Sequence, residues 1–206
     1  MPVEFLVTVF VTLIVVIDPI GTTPIFVALT QGMDRRARRG VAIRACATAI
    51  AVLAAFTVAG EALLQSIGIS LAAFRIAGGI LLFLTALEML FGRRNKRRQD
   101  QAPDEPGEDP SVFPIAIPLL AGPGSIASVI LLAGQSGDPL TMAGVLAVVL
   151  FIFLICFLFF LSAEAIERAL GETGILVTTR LLGMLLAALS VQFVLDGIVN
   201  SGVLAG

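Results

Sequence analysis

The chain has no histidine, a single lysine and only two cysteines among 206 residues. Without histidine, neither a histidine-bearing metal site nor an imidazole base is available. The lysine, Lys96, lies in a polar stretch, and no two carboxylates fall together inside an apolar run. The usual nucleophile and base pairs are therefore missing, and "GPGSIAS" at 122–128 has the look of a serine nucleophile loop with no base to serve it. An enzyme is not expected, nor a cofactor. Cys46 and Cys156 both fall within apolar segments, where they suit packing better than a disulfide framework. Charge is scarce too: 14% of residues are charged and 58% hydrophobic, with mean hydropathy +1.04. A soluble domain of this size could not hide that much apolar surface in one core, so the expected surroundings are a lipid bilayer and not nucleic acid.

Six apolar segments can be counted, at about 3–29, 41–60, 69–91, 112–134, 141–163 and 175–198. Each is near or above the roughly 20 residues that a helix needs to span the hydrocarbon. Period-two alternation, the mark of a membrane barrel, is absent, so the expected fold is an all-α integral membrane protein with six transmembrane helices. The first segment has no basic region before it and no small-residue cleavage site, and reads as the first span, not a removed leader.

Twelve of the thirteen Lys and Arg residues gather at three junctions. Arg35, Arg36, Arg38, Arg39 and Arg44 follow span 1; Arg93, Arg94, Lys96, Arg97 and Arg98 follow span 3; Arg168 and Arg180 lie around the junction of spans 5 and 6. In a six-span chain all three junctions share one side, which the positive-inside rule makes cytoplasmic, leaving both termini on the outer face. The exception, Arg75, lies early in span 3, within snorkelling reach of the outer interface.

Residues 93–110, "RRNKRRQDQAPDEPGEDP", are too polar and Pro-rich to fold alone and read as a cytoplasmic linker between halves 1–92 and 111–206. The halves carry a faint repeat. Aligning Arg75 with Arg180 also pairs Gly78 with Gly183 and Thr85 with Ser190. Both halves also break their first span with Pro and Gly, in "VIDPIGTTPIF" at 16–26 and "PIAIPLLAGPGSIAS" at 114–128. Three spans is an odd number, so the second half enters the membrane from the opposite side. The expected architecture is two inverted three-helix repeats with a broken first helix in each, the sequence pointer to a secondary transporter. Along their spans, Asp18 lies roughly 22 Å from one face and Gly122 roughly 15 Å from the other, so the breaks can meet at overlapping depth.

The breaks suggest chemistry. Pro19, Pro24, Pro118 and Pro123 each remove a backbone donor and leave a carbonyl to be satisfied by a side chain, water or a bound solute. Gly21, Gly122 and Gly124 would let a solute approach the main chain. Half-helices starting after the breaks present free N–H groups to a carboxylate, while freed carbonyls and Asp18 suit an ammonium group. Together they describe a site for a small zwitterion. Asp18 equally fits the N-cap of the second half-helix, with Pro19 at its first position. Glu88 falls near the inner interface, within reach of the basic block. Asp196 falls at the outer end of span 6, and Gln192, one turn deeper, is a candidate for lining a pathway.

At these residues the sequence resembles the MarC family of bacterial inner-membrane proteins, also grouped as small neutral amino acid transporters. The resemblance covers nearly the whole chain: "DPIGTTPIFVALT", "GISLAAFRIAGG", "PIAIPLLAGPGSI", and "RLLG" with "QFVLDGI". The family looks related to the larger exporter group that includes lysine exporters, which implies the same inverted arrangement. It also implies a carrier of glycine, alanine or similar solutes driven by a cation gradient, proton or sodium, with a substrate site at Asp18, Gly21, Thr22, Thr23, Gly122, Pro123, Gly124 and Ser125. A non-transporting membrane scaffold or assembly factor, whose small-residue faces bind partner helices, is the second reading, and an exporter of another small solute the third. Gly78 and Gly79 suit packing within one chain or within a homo-oligomer alike.

Overall fold

The computed structural model describes residues 3–92, 109–135 and 138–202, and every regular element among them is helical. The linker expected at 93–110 lies outside the described residues except for Asp109 and Pro110, and with it the basic block at 93–98. Span 1 is two helices, α1 (Val3–Ile17) and α2 (Pro19–Leu29), and span 2 is α3 (Arg35–Ser66). Span 3 is α4 (Leu71–Leu90). Span 4 is again split, into the irregular wide-turn segment α5 (Ser111–Leu120) and α6 (Pro123–Ala133), bent by 55°. Spans 5 and 6 are α7 (Pro139–Leu161) and α8 (Ala163–Asn200). By length and composition five of these cross a membrane, or six with α5 and α6 counted as one bent span.

One helix starts earlier than hydropathy predicts: α3 begins at Arg35, not near residue 41, whereas the long arm of α8 begins after the non-helical Gly171, close to the expected 175. Hydropathy marks where a helix enters lipid, whereas a helix starts where its first amides find acceptors. Asp34 supplies one, accepting from the Ala37 amide at 2.7 Å, and arginine is a good helix former. The five arginines at 35–44 thus lie on the helix itself. α8 follows α7 after a single residue, Ser162, and absorbs the change of direction at Gly171, whose φ of 62° is open to glycine at little cost.

α4 and α8 form the closest helix pair. The positions on α8 that meet α4 run in reverse order, so the two are antiparallel. Gly197 lies against Ala72 and Ile76, Gly79 against Ser190 and Val194, and Gly183 against Ala86 and Met89. A Cβ on Gly79 would stand 2.8 Å from the Ser190 carbonyl oxygen, and one on Gly183 would stand 2.9 Å from the Met89 Cβ. With no hydrophobic drive between helices in lipid, such backbone approach is what gains dispersion energy, and small residues permit it. Of the two glycines matched between the halves, Gly183 belongs to this seam, whereas Gly78 faces Leu131 and Ala127 of α6.

The broken spans pack across the halves. α2 lies on α7 and α8, while α6 lies on α3 and α4; α1 packs on α7, and α5 on α3. Ring contacts mark the first set: Phe10 meets Phe151 with centroids 5.9 Å apart, and Phe26 stacks on Phe160 at 4.3 Å. Cys46 and Cys156 are buried free thiols, in keeping with packing.

The end of the bundle that carries the arginines is tied by charge. Arg38 lies over the Phe26 ring at 5.7 Å, donates from Nε to the Thr30 hydroxyl at 3.1 Å and pairs with Glu164 at 2.9 Å. Arg44 pairs with Asp109 at 2.9 Å, and the Ser111 amide donates to the same carboxylate. Partial burial would raise the Asp109 pKa, but the Arg44 and Ser111 hydrogen bonds outweigh it and hold the carboxyl below its ordinary range. At the other end, the Thr141 hydrogen bonds do the same for Asp138, the cap of α7.

Candidate functional site

Asp18 is the hinge of the first break. Its backbone is left-handed (φ 55°, ψ 67°), a conformation that Asp tolerates better than most side chains, yet its amide still donates to the Ile14 carbonyl at 3.0 Å. Its carbonyl accepts from the Thr22 amide at 2.9 Å, so the chain passes from α1 to α2 without losing these main-chain bonds. The side chain is completely buried and Oδ1 accepts from the Gly21 amide at 3.0 Å. It is therefore the N-cap of α2 with Pro19 at the first position, as the sequence allowed.

Gly21 is needed because the carboxylate folds back over it. A Cβ there would overlap the Asp18 carboxylate and stand 3.0 Å from the Thr179 hydroxyl of α8. Thr22 and Thr23 are fully buried and both donate to the Pro19 carbonyl, at 3.1 and 2.8 Å.

The second break is built differently. Gly122 caps α6 with no side-chain acceptor, so the N-terminal end of α6 carries no charge like that of Asp18. A Cβ on Gly122 would lie 2.5 Å from the Pro118 carbonyl oxygen, so this glycine accommodates the folded-back α5 chain and not only a solute. Ser125 donates to the carbonyls of Leu120 and Gly122, at 2.9 and 3.0 Å. Of the partners expected for carbonyls at the breaks, a side chain is the one that meets Leu120. A buried hydroxyl one turn along meets a carbonyl that hydrocarbon would otherwise leave unsatisfied. Gly124 is where the breaks approach one another. A Cβ would stand 3.2 Å from both Val16, two residues before Asp18, and Leu82 of α4.

Of the residues singled out from the sequence, Asp18, Gly21, Thr22, Thr23, Gly124 and Ser125 are buried around these two turns. Gly122 is half-buried and Pro123 is exposed, so the latter shapes the break from outside. Gln192 is exposed on α8 and donates to Asp196 at 2.7 Å, and it does not join the cluster. The sequence reading missed Thr179. The available signal was the pair Thr178–Thr179 in an apolar run, but only the rotation of α8 separates them. Thr178 is half-buried and donates to the Gly174 carbonyl at 2.9 Å, whereas Thr179 is 3% exposed and its hydroxyl has no hydrogen-bond partner.

The profile of MarC family integral membrane proteins matches residues 3–201. A UPF0056 membrane protein of Methanocaldococcus jannaschii is 36% identical over 201 residues, covering 96% of this chain and 98% of the relative. The UPF0056 membrane protein YvbG of Bacillus subtilis is 38% identical, covering 95% and 94%. The UPF0056 membrane protein YhcE of Escherichia coli is 33% identical, covering 92% and 89%. These names specify a membrane protein and no solute. No solved structure matches the chain.

Proposed function

The chain belongs to the MarC family of integral membrane proteins, and from that premise we propose that it is a secondary transporter for small neutral amino acids such as glycine and alanine. It works by alternating access in the plasma membrane, the inner membrane of a bacterium, coupled to a proton or sodium gradient. The observation that carries this reading is the pair of broken spans, each restarting as an eleven-residue helix with proline at its first position, brought together at Gly124 and Val16.

Several features support the inverted repeat behind it. At a nearly constant spacing, Pro19 is matched by Pro123, Leu29 by Ala133, the helix cap Asp34 by Asp138, and Arg75 by Arg180. The packing is reciprocal as well: α2 lies on α7 and α8 as α6 lies on α3 and α4, and α4 meets α8 antiparallel. A two-fold axis in the membrane plane would produce both patterns. The arginine-rich end is then cytoplasmic and both termini are outside.

The two breaks divide the work. Asp18 places negative charge at the start of α2, so an ammonium group belongs there; the uncapped start of α6 suits the carboxylate. In this reading the Phe26–Phe160 stack and the Arg38–Glu164 pair, at the arginine-bearing end, would close access from the cytoplasm.

Gly124→Ala separates this reading from a scaffold. The added methyl needs only small shifts of Val16 and Leu82, so the fold survives, but it fills the space between the breaks. Glycine flux into proteoliposomes is expected to fall about five- to tenfold, the equivalent of about 1 kcal/mol of overpacking. Unchanged flux from well-folded variant protein would count against a site at this place.

A further inference from the structure

Among the described residues most buried hydroxyls are satisfied by their own helix, with Thr12 and Thr179 as exceptions. Thr23, Thr57, Ser128 and Ser190 each donate to a carbonyl three or four residues back. Thr179 has the same option and does not take it. Its hydroxyl is buried, without a hydrogen-bond partner, and its Oγ1 is among the atoms that a Cβ on Gly21 would meet. On the same glycine lies the Asp18 carboxylate, oriented by the Gly21 amide through Oδ1, with Oδ2 as the atom that a Cβ would overlap. A carboxylate from the break and a hydroxyl from α8 therefore converge over the bare Cα of Gly21.

We propose that Asp18 and Thr179 form, over Gly21, a subsite for a compact monovalent cation, either an alkali ion or the ammonium group of an amino acid. The chemistry selects that class. The threonine oxygen has lone pairs to offer a cation, and the carboxylate supplies one negative charge. One carboxylate balances one positive charge; a divalent ion would leave an uncompensated charge in a low-dielectric interior, and an anion would be repelled. Gly21 makes room, since any larger residue would occupy the place where the two oxygens face each other. Because Asp18 sits on the hinge and Thr179 on α8, occupancy would tie α2 to the helix it packs on.

This deepens the transporter reading and rests on it for its role in flux, but the subsite is testable by binding alone. The melting temperature of purified full-length protein in detergent would be followed while sodium chloride or methylammonium chloride replaces choline chloride at constant ionic strength. The expected result is saturable stabilisation by one of the compact cations. Thr179→Val should move the midpoint at least about tenfold, as the loss of a charge-assisted contact does, and Thr179→Ser should stay within about threefold of the wild type. A response to sodium alone assigns the alkali ion; one to methylammonium alone assigns the substrate's ammonium. Absence of saturable stabilisation by either cation in the wild type would overturn the proposal, as would an unmoved midpoint in Thr179→Val. Should that variant fail to fold, Thr179→Ala carries the same expectation. Glycine exchange without cation binding would leave the transporter standing and remove the subsite; cation binding without exchange would do the reverse.

Discussion

Gly21→Ala is expected to lower amino acid flux at least about thirtyfold. The new Cβ would occupy the place of the Asp18 carboxylate, so either the cap of α2 is lost or α2 shifts away from Thr179 and α8. Overpacking costs about 1–3 kcal/mol and a lost N-cap about 1 kcal/mol, and about two to four kcal/mol at the hinge corresponds to about thirtyfold to several hundredfold. The measurement is initial uptake rate per folded protein, with folding checked by size-exclusion chromatography and thermal melting. A variant that melts normally and transports at near wild-type rate would mean that the first break has no part in the site.

Asp18→Asn probes the same turn without disturbing its shape. Asparagine tolerates the left-handed backbone and caps a helix about as well as aspartate, so α2 should start where it does now. What disappears is the negative charge. If the carboxylate holds the coupling ion, exchange of internal for external glycine persists while accumulation driven by a proton or sodium gradient vanishes; if it holds the substrate's ammonium group, exchange falls as well. Accumulation undiminished in the variant would refute coupling through this carboxylate. The contrast between the two substitutions is informative: the first removes space and the second removes charge at one hinge.

How much of this was legible in the sequence follows from which interactions are local. Both breaks were visible because Asp-Pro at 18–19 and Gly-Pro at 122–123 act on their own chain. Proline fixes its φ and lacks a donor, and the cap lies within three residues. The two roles foreseen for Asp18, cap and site, need not compete: one oxygen caps while the carboxylate also faces α8. The start of α3 was misplaced because the apolar pattern is blind to a helix that begins in polar surroundings, where Asp34 and the arginines sustain it.

Other features depended on how helices rotate against one another. Gln192 was singled out for its depth, but α8 turns it outward toward Asp196, and Phe193 faces in instead. Thr179 was hidden for the same reason, because neighbouring threonines look alike until packing buries one. The bonds of Ser125 to the Leu120 and Gly122 carbonyls were within local reach, since it lies one turn past the break, and they select a side chain among the partners foreseen there. The glycines divide accordingly. Gly21 and Gly124 lie where the elements of the site approach, Gly122 relieves a clash with α5, and Gly79, Gly183 and Gly197 serve the α4–α8 seam.

The central claim is that the two breaks form one site that carries a small neutral amino acid. Counterflow in proteoliposomes tests it most directly, with unlabelled amino acids inside and labelled glycine outside, because it needs no knowledge of the driving ion. The account predicts saturable, stimulated entry of label when glycine or alanine is loaded, and none with bulky or charged amino acids. Entry that is no faster than in empty liposomes, from protein shown to be folded and reconstituted, would contradict it.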